Sequence, residues 1–369
     1  MTWSSWVDAQ LADVVGAGRW RQIRTLDGPG PEFTTADGTR VVSFASNDYL
    51  GLSQHPAVIA AGHLALDRHG AGSGSSRLIV GAKPPHDELE EALATWRGTE
   101  RALLLPTGYA ANLAVLTTFG SSARIISDEL NHASIIDGAR LARSEICVSR
   151  HNDVDHVEQL IAEAPGPVVV VSDSVFSMDG DLAPIAELSA LCSRTGALLV
   201  LDDAHAVFDL VAPDPDAACI RVGTLSKMLG SLGGYVAASG PMIDLLVNRA
   251  RSFIFTTASS PVDAATATAA LAVRISPEGD ELVDRLRRNV DRVSPGHSSP
   301  IIPVILGDEA VAMAAASELL ERGILVPAIR PPTVPVGSSR LRIALSALHT
   351  FEQITMLCDG IEAARSTRR

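Results

Sequence analysis

From about residue 85 to 240, short apolar runs of strand length alternate with segments whose apolar residues recur at i, i+3, i+4 and i+7. This rhythm restricts the fold more than any other feature of the chain. The candidate strands are 101–105, 124–127, 145–148, 167–171, 197–201, 219–222 and 235–238, with helical patterns such as 86–96 and 182–194 between them. Runs that are apolar at every position belong to strands covered on both faces, and strands alternating with helices build a mostly parallel sheet. The rhythm changes after about residue 270. Strand-like 300–306, helix-like 309–322, strand-like 324–329 and 340–345 and a last helix near 350–364 predict a smaller α+β domain. The first 25 residues read as an arm helix with Trp6, Leu11 and Val14 on one face, followed by a turn-rich span and a hairpin at Ala36-Asp37-Gly38. The predicted division is an N-terminal arm over 1–45, a large domain over 46–270 and a small domain over 271–369.

Composition excludes several classes of function. The 43 acidic and 30 basic residues leave a net charge of −13 with no Lys/Arg block, so neither nucleic acid nor an anionic membrane is an expected partner. Four cysteines lie far apart without a C-x-x-C pair, and no HExxH occurs. Buried thiols and no metal are therefore expected. No window approaches 18 uninterrupted apolar residues, and the N-terminus lacks a basic-then-apolar order. The expectation is a cytoplasmic protein. No period of 20–50 residues recurs, which removes repeat architectures.

Ligands of open α/β sheets bind beyond the carboxyl ends of the strands, and four predicted strand ends carry reactive side chains. They are Asp128-Glu-Leu-Asn-His132, Ser172 through Asp181, Asp202-Asp-Ala-His205, and Thr224-Leu-Ser-Lys227 before the glycine-rich 230–234. A single Asp or Ser there would be a helix cap or a turn; four together point to a site. A lysine desolvated among small residues has a lowered pKa and can form a Schiff base with an aldehyde. Such a cofactor needs an anion for its ring nitrogen, which Asp202 suits, and a flat group over its face, which His132 suits. Its phosphate needs helix N-terminal amides, which Thr107 through Asn112 offer. No G-x-G-x-x-G, P-loop or G-x-S-x-G occurs.

Seven ordered segments resemble the α-oxoamine synthases: Ser46-Asn-Asp-Tyr-Leu-Gly-Leu52, the serine-glycine stretch ending Ser76-Arg-Leu-Ile-Val-Gly81, Asn131-His-Ala-Ser134, Phe176-Ser-Met-Asp-Gly-Asp181, Asp202-Asp-Ala-His205, Thr224-Leu-Ser-Lys227 and Ala328-Ile-Arg-Pro-Pro-Thr-Val-Pro335 with Ser339-Arg-Leu-Arg342. The resemblance implies an α/β protein of the pyridoxal-phosphate transferase fold type I, like aspartate aminotransferase, with pyridoxal 5'-phosphate as cofactor. The last segment is similar to the branch that condenses L-alanine with a pimeloyl thioester in biotin formation. Glycine C-acetyltransferase and serine palmitoyltransferase types are the alternatives. By resemblance, Lys227 carries the cofactor and moves the α-proton, Asp202 protonates the ring nitrogen, His132 stacks on the ring, and His205 bonds its phenolic oxygen. Ser177 and Thr224 line the cofactor, Gly108 and Tyr109 meet its phosphate, and Thr256 or Thr257 reaches the phosphate of a neighbouring subunit in a homodimer. Arg21, Asn47, His132, Arg330, Thr333 and Arg342 are implied to bind substrate. Arg340 and Arg342 alternate along one predicted strand and share a face, an exposed ion pair being the ordinary alternative. One departure from the family pattern is Ala206-Val-Phe-Asp-Leu-Val-Ala-Pro213, where a glycine-rich loop is usual. The expectation is a loop shaped differently beside the cofactor.

Overall fold

A computed structural model of the chain describes residues 1–366. Its centre is a seven-stranded sheet in the order Arg101–Leu105, Gly234–Ala238, Cys219–Thr224, Leu198–Asp202, Val168–Asp173, Arg124–Asp128, Ile146–Ser149. Only Gly234–Ala238 runs antiparallel to its neighbours. The six other strands therefore end on one edge.

Every residue of Val168–Asp173 is buried, as a run without alternation requires. Val169 and Val171 pack on one face with Ala111, Val115, Ile135 and Ala139, from helices Gly108–Phe119 and Ala133–Ala142. Val168 and Val170 pack on the other with Val157, Leu188 and Leu191, from helices Val154–Ala162 and Ile185–Thr195. Successive side chains of a strand point to opposite faces, so one valine run fills two cores.

A second, antiparallel sheet orders Ile301–Gly307, Ser339–Ala344 and Ala328–Ile329. The expected 324–329 strand is divided: Ile324–Leu325 leaves this sheet and pairs parallel with Arg40–Ser43, beside the hairpin Glu32–Thr35. Helix Trp3–Gly16 forms as expected but buries none of its residues. The atypical 206–213 stretch sends Val207 and Phe208 into the core, with the Arg287 guanidinium 4.2 Å from the Phe208 ring centre. Among the described residues, no helix is long and apolar enough to cross a membrane, and no group of His, Cys, Asp and Glu is arranged to hold a metal. The four cysteines are unpaired.

Candidate active site

The common edge of the sheet gathers the strand-end residues. Asp202 closes its strand with its carboxylate buried; Oδ1 accepts the Ala204 N–H at 2.9 Å, and Oδ2 accepts the Asn112 amide at 2.6 Å. Asp173 lies beside it in register on the next strand. Burial and the Asp202 charge push the Asp173 carboxyl well above the usual carboxylate range. His132 caps helix Ala133–Ala142: its backbone N–H donates to Asp173 at 2.8 Å, and Nδ1 accepts from the Ser134 N–H at 3.2 Å. Desolvation lowers its pKa, reinforced by Lys227 and opposed by Asp202.

Lys227 follows the strand Cys219–Thr224, and its Nζ lies 2.9 Å from His205 Nε2. His205 Nδ1 lies 2.6 Å from the Tyr49 hydroxyl, which donates to Asn47 Oδ1 at 3.1 Å. Arg342 Nη2 donates to the same Asn47 oxygen at 3.3 Å, and Nε donates to the Ser177 carbonyl at 2.5 Å. One assignment satisfies every group: His205 is neutral, donates from Nδ1 to the tyrosine oxygen, and accepts from Lys227 at Nε2. Burial, then the Lys227 and Arg342 charges, hold His205 well below the usual histidine range. Burial also lowers the Lys227 pKa, against the opposing pull of Asp202 and Asp173. Burial pushes Tyr49 up to about 12, so it keeps its proton.

Thr107 caps helix Gly108–Phe119, its hydroxyl accepting the Ala110 N–H at 3.0 Å. Among the described residues, the N–H groups of Gly108 and Tyr109 have no partner there. The Thr224 hydroxyl donates to the Gly233 carbonyl at 3.0 Å and sits against Gly108. The Tyr109 ring is exposed, its hydroxyl bonded to Asp137. A pyridoxal phosphate fits these residues: an amine of lowered pKa, a buried carboxylate, and two amides without partners among the described residues at a helix N-terminus.

Other expected residues lie apart from this cluster. Thr256 and Thr257 follow helix Arg251–Ile254 and line a small crevice with Arg77, His86 and Ser259. Arg21 is exposed. Arg330 grips the backbone beside it, bonding the carbonyls of Gly18 and Trp20. Thr333 lines a cavity of about 710 Å³ with Phe176, Met178, Val334, His151 and Arg340. The exposed ion pair does not form: Arg340 and Arg342 are both buried, because the Phe176–Asp181 loop supplies Asp179 to one and the Ser177 carbonyl to the other.

Sequence reasoning did not assign Tyr49, Asn112, Ser134 or Asp173, although all four lie in segments it singled out. It also passed over His151, whose ring nitrogens meet Asp128 at 3.0 Å and Asp181 at 2.8 Å. Burial works against the imidazolium, but these two carboxylates outweigh it and raise the His151 pKa.

The family model "Aminotransferase class I and II" matches residues 39–361. The 8-amino-7-oxononanoate synthase of Methylobacterium sp. (strain 4-46) is 45% identical over 96% of this chain and 94% of its own length. That of Burkholderia thailandensis is 44% identical over 94% of each chain. Among solved structures, serine palmitoyltransferase from S. paucimobilis with bound PLP–myriocin aldimine matches with a TM-score of 0.92 at 29% identity, over 100% of this chain and 99% of the other. The 8-amino-7-oxononanoate synthase of Francisella tularensis matches with a TM-score of 0.72 at 25% identity, over 89% and 97%. The chain thus belongs to the aminotransferase class I and II family and, within its α-oxoamine synthases, to the 8-amino-7-oxononanoate synthases, pyridoxal-phosphate-dependent acyltransferases.

Proposed function

We propose that the chain condenses L-alanine with a pimeloyl thioester, yielding 8-amino-7-oxononanoate, CO2 and the carrier thiol. The alanine Cα–H proton and the Cα–carboxylate bond are lost, a bond from Cα to the thioester carbonyl carbon forms, and the C–S bond breaks. Bound pyridoxal phosphate supplies the electron sink that makes a carbanion at Cα accessible. Lys227 removes and returns the proton, a task suited to an amine whose pKa burial has lowered. Asp202 would hold a proton on the ring nitrogen, His132 would cover the ring face, and His205 would take the phenolic oxygen. Ser177 and Thr224 would flank the ring, and the Gly108 and Tyr109 amides would take the phosphate.

The observation that carries the reading is buried Arg342. Its charge acts on both Lys227 and His205, so a guanidinium stands beside the amine to take an amino-acid carboxylate. Asn47 orients it. The apolar walls at Phe176, Met178 and Val334 suit a methylene chain, with Thr333 and Arg340 on the same lining; by resemblance, Arg21 and Arg330 are also assigned to substrate. The TM-score of 0.92 to serine palmitoyltransferase favours a second reading, with L-serine as the amino acid. Four unpaired thiols agree with a cytoplasmic setting.

Thiol release from pimeloyl-CoA, with L-alanine, L-serine and glycine compared, tests the proposal. Release with L-alanine alone, abolished in Lys227→Ala, is the expected result. Faster release with L-serine or glycine would move the chain to another branch. No release with any of the three, in protein that binds pyridoxal phosphate, would overturn the acyl donor.

We further propose a homodimer in which Thr256 or Thr257 reaches the phosphate bound by the other copy. The support is an apolar surface around these threonines: Phe255 is 69% exposed, and Leu78, Ile79 and Val80 stand exposed on the neighbouring turn Arg77–Gly81. Contiguous exposed apolar residues mark an association surface.

A further inference from the structure

We infer that Asn112 and Ser134 form a fixed bridge between Asp202 and His132, and that they are positioning residues for the cofactor ring. Asn112 is 1% exposed, and its single amide nitrogen donates to Asp202 Oδ2 at 2.6 Å and to Ser134 Oγ at 2.9 Å. With the oxygen occupied as an acceptor, the Ser134 hydroxyl turns its proton to His132 Nδ1, 2.7 Å away. The Ser134 N–H donates to the same nitrogen, so Nδ1 is an acceptor and the ring proton sits on Nε2. The donors thus run outward from one amide, to the carboxylate at the ring's edge and to the imidazole over its face. The partnerless Asn112 Oδ1 follows from this orientation: rotating the amide would set an oxygen against Asp202.

The bridge fixes the angle between the two groups that hold the ring, and it also keeps His132 neutral. A hydrogen bond donated to a lone pair favours the unprotonated imidazole. The charged and titratable groups facing His132 are Asp202 and Asp173 at the two strand ends, and Lys227 and His205 opposite. On its own helix, Asp137 is engaged by Tyr109 and Arg140. The substitutions below leave all of these in place. Without the bridge His132 protonates more readily, and an imidazolium over a protonated pyridine ring is repelled.

The inference rests on pyridoxal phosphate as the bound group and not on the choice of substrates. The test is therefore free of substrate. In cofactor-loaded protein labelled with 15N-histidine, His132 is expected to titrate about one pH unit higher in Ser134→Ala and Asn112→Ala than in the wild type. Cofactor affinity then falls about threefold more between pH 8 and pH 6 than in the wild type, the imidazole being only partly protonated at pH 6. Ser134→Thr, which keeps a hydroxyl, is expected to restore the wild-type titration. The double variant Asn112→Ala/Ser134→Ala should lose no more than either single one, since one bridge is broken once. A wild-type titration and wild-type acid sensitivity in Ser134→Ala overturn the inference, whatever happens to the folding of Asn112→Ala. Failure of thiol release from pimeloyl-CoA would leave these readouts unaffected.

Discussion

At the scale of single residues, the candidate site was legible where chemistry sits at a strand end and obscure where it needs a distant partner. Asp202, His205, Lys227 and His132 could be singled out because a parallel sheet delivers all its carboxyl ends to one edge. Tyr49 could not be assigned in this way: its contact with His205 spans 156 positions of sequence, and no local pattern announces it. His349 illustrates the same limit outside the site. It stacks on Phe44 at 4.3 Å, takes the Ser346 N–H on Nδ1 and bonds the Ser43 carbonyl through Nε2. Burial lowers its pKa from 6.5 to about 4. The unfolded chain therefore binds more protons than the native one between these values, and stability falls as pH drops through that window. The cost to the native state is about 3 kcal/mol once pH lies below the folded value, each unit being about 1.4 kcal/mol. His349→Gln is expected to flatten the decline of Tm between pH 6.5 and 4.5, at some loss of Tm near pH 7. A decline as steep as that of the wild type would show that another group sets the acid sensitivity.

At the scale of elements, the helix N-terminus at Gly108 depends on a strand that begins against it. A Cβ at Gly234 would fall 2.4 Å from the Gly108 nitrogen and from the Thr107 carbonyl carbon, so only glycine lets the backbones approach this closely. Gly234→Ala is expected to push the first turn of Gly108–Phe119 outward and to weaken pyridoxal-phosphate binding by at least tenfold. Titration of the cofactor by absorbance would check this. Unchanged affinity in the variant would show that the Gly108 and Tyr109 amides do not hold the phosphate. The apolar pattern correctly announced these strands and helices. It did not reveal that 324–329 would divide between two sheets, because the choice is made by pairing with Arg40–Ser43, 282 positions away. The 206–213 loop is a related case. Its sequence announced a departure from the family pattern, and the structure supplies the physical reason: Val207 and Phe208 are apolar and are withdrawn into the core.

At the scale of the whole molecule, the surface is less closed than the core requires. Helix Trp3–Gly16 leaves Trp3, Trp6, Leu11 and Val15 exposed, and the turn Arg77–Gly81 with Phe255 adds a second apolar area. A single copy buries neither, and exposed apolar area of this kind is removed from water by association. If two copies cover the patch at Arg77–Gly81, Thr256 and Thr257 become interface residues, and each site is completed by the other copy. A charge placed in that patch must then be desolvated on association, which costs several kcal/mol without a partner. Ile79→Asp, at a position 74% exposed in one copy, should not disturb the fold of the monomer. The expected result by light scattering is a shift from dimer to monomer, accompanied by loss of cofactor affinity with Tm of the isolated chain little changed. Mixing this variant with Lys227→Ala protein sharpens the test. Complementation between the two would require one copy to lend its threonine to the other's Lys227. A monomeric wild type, or an Ile79→Asp variant that stays dimeric with full cofactor affinity, would show that the patch serves no such interface.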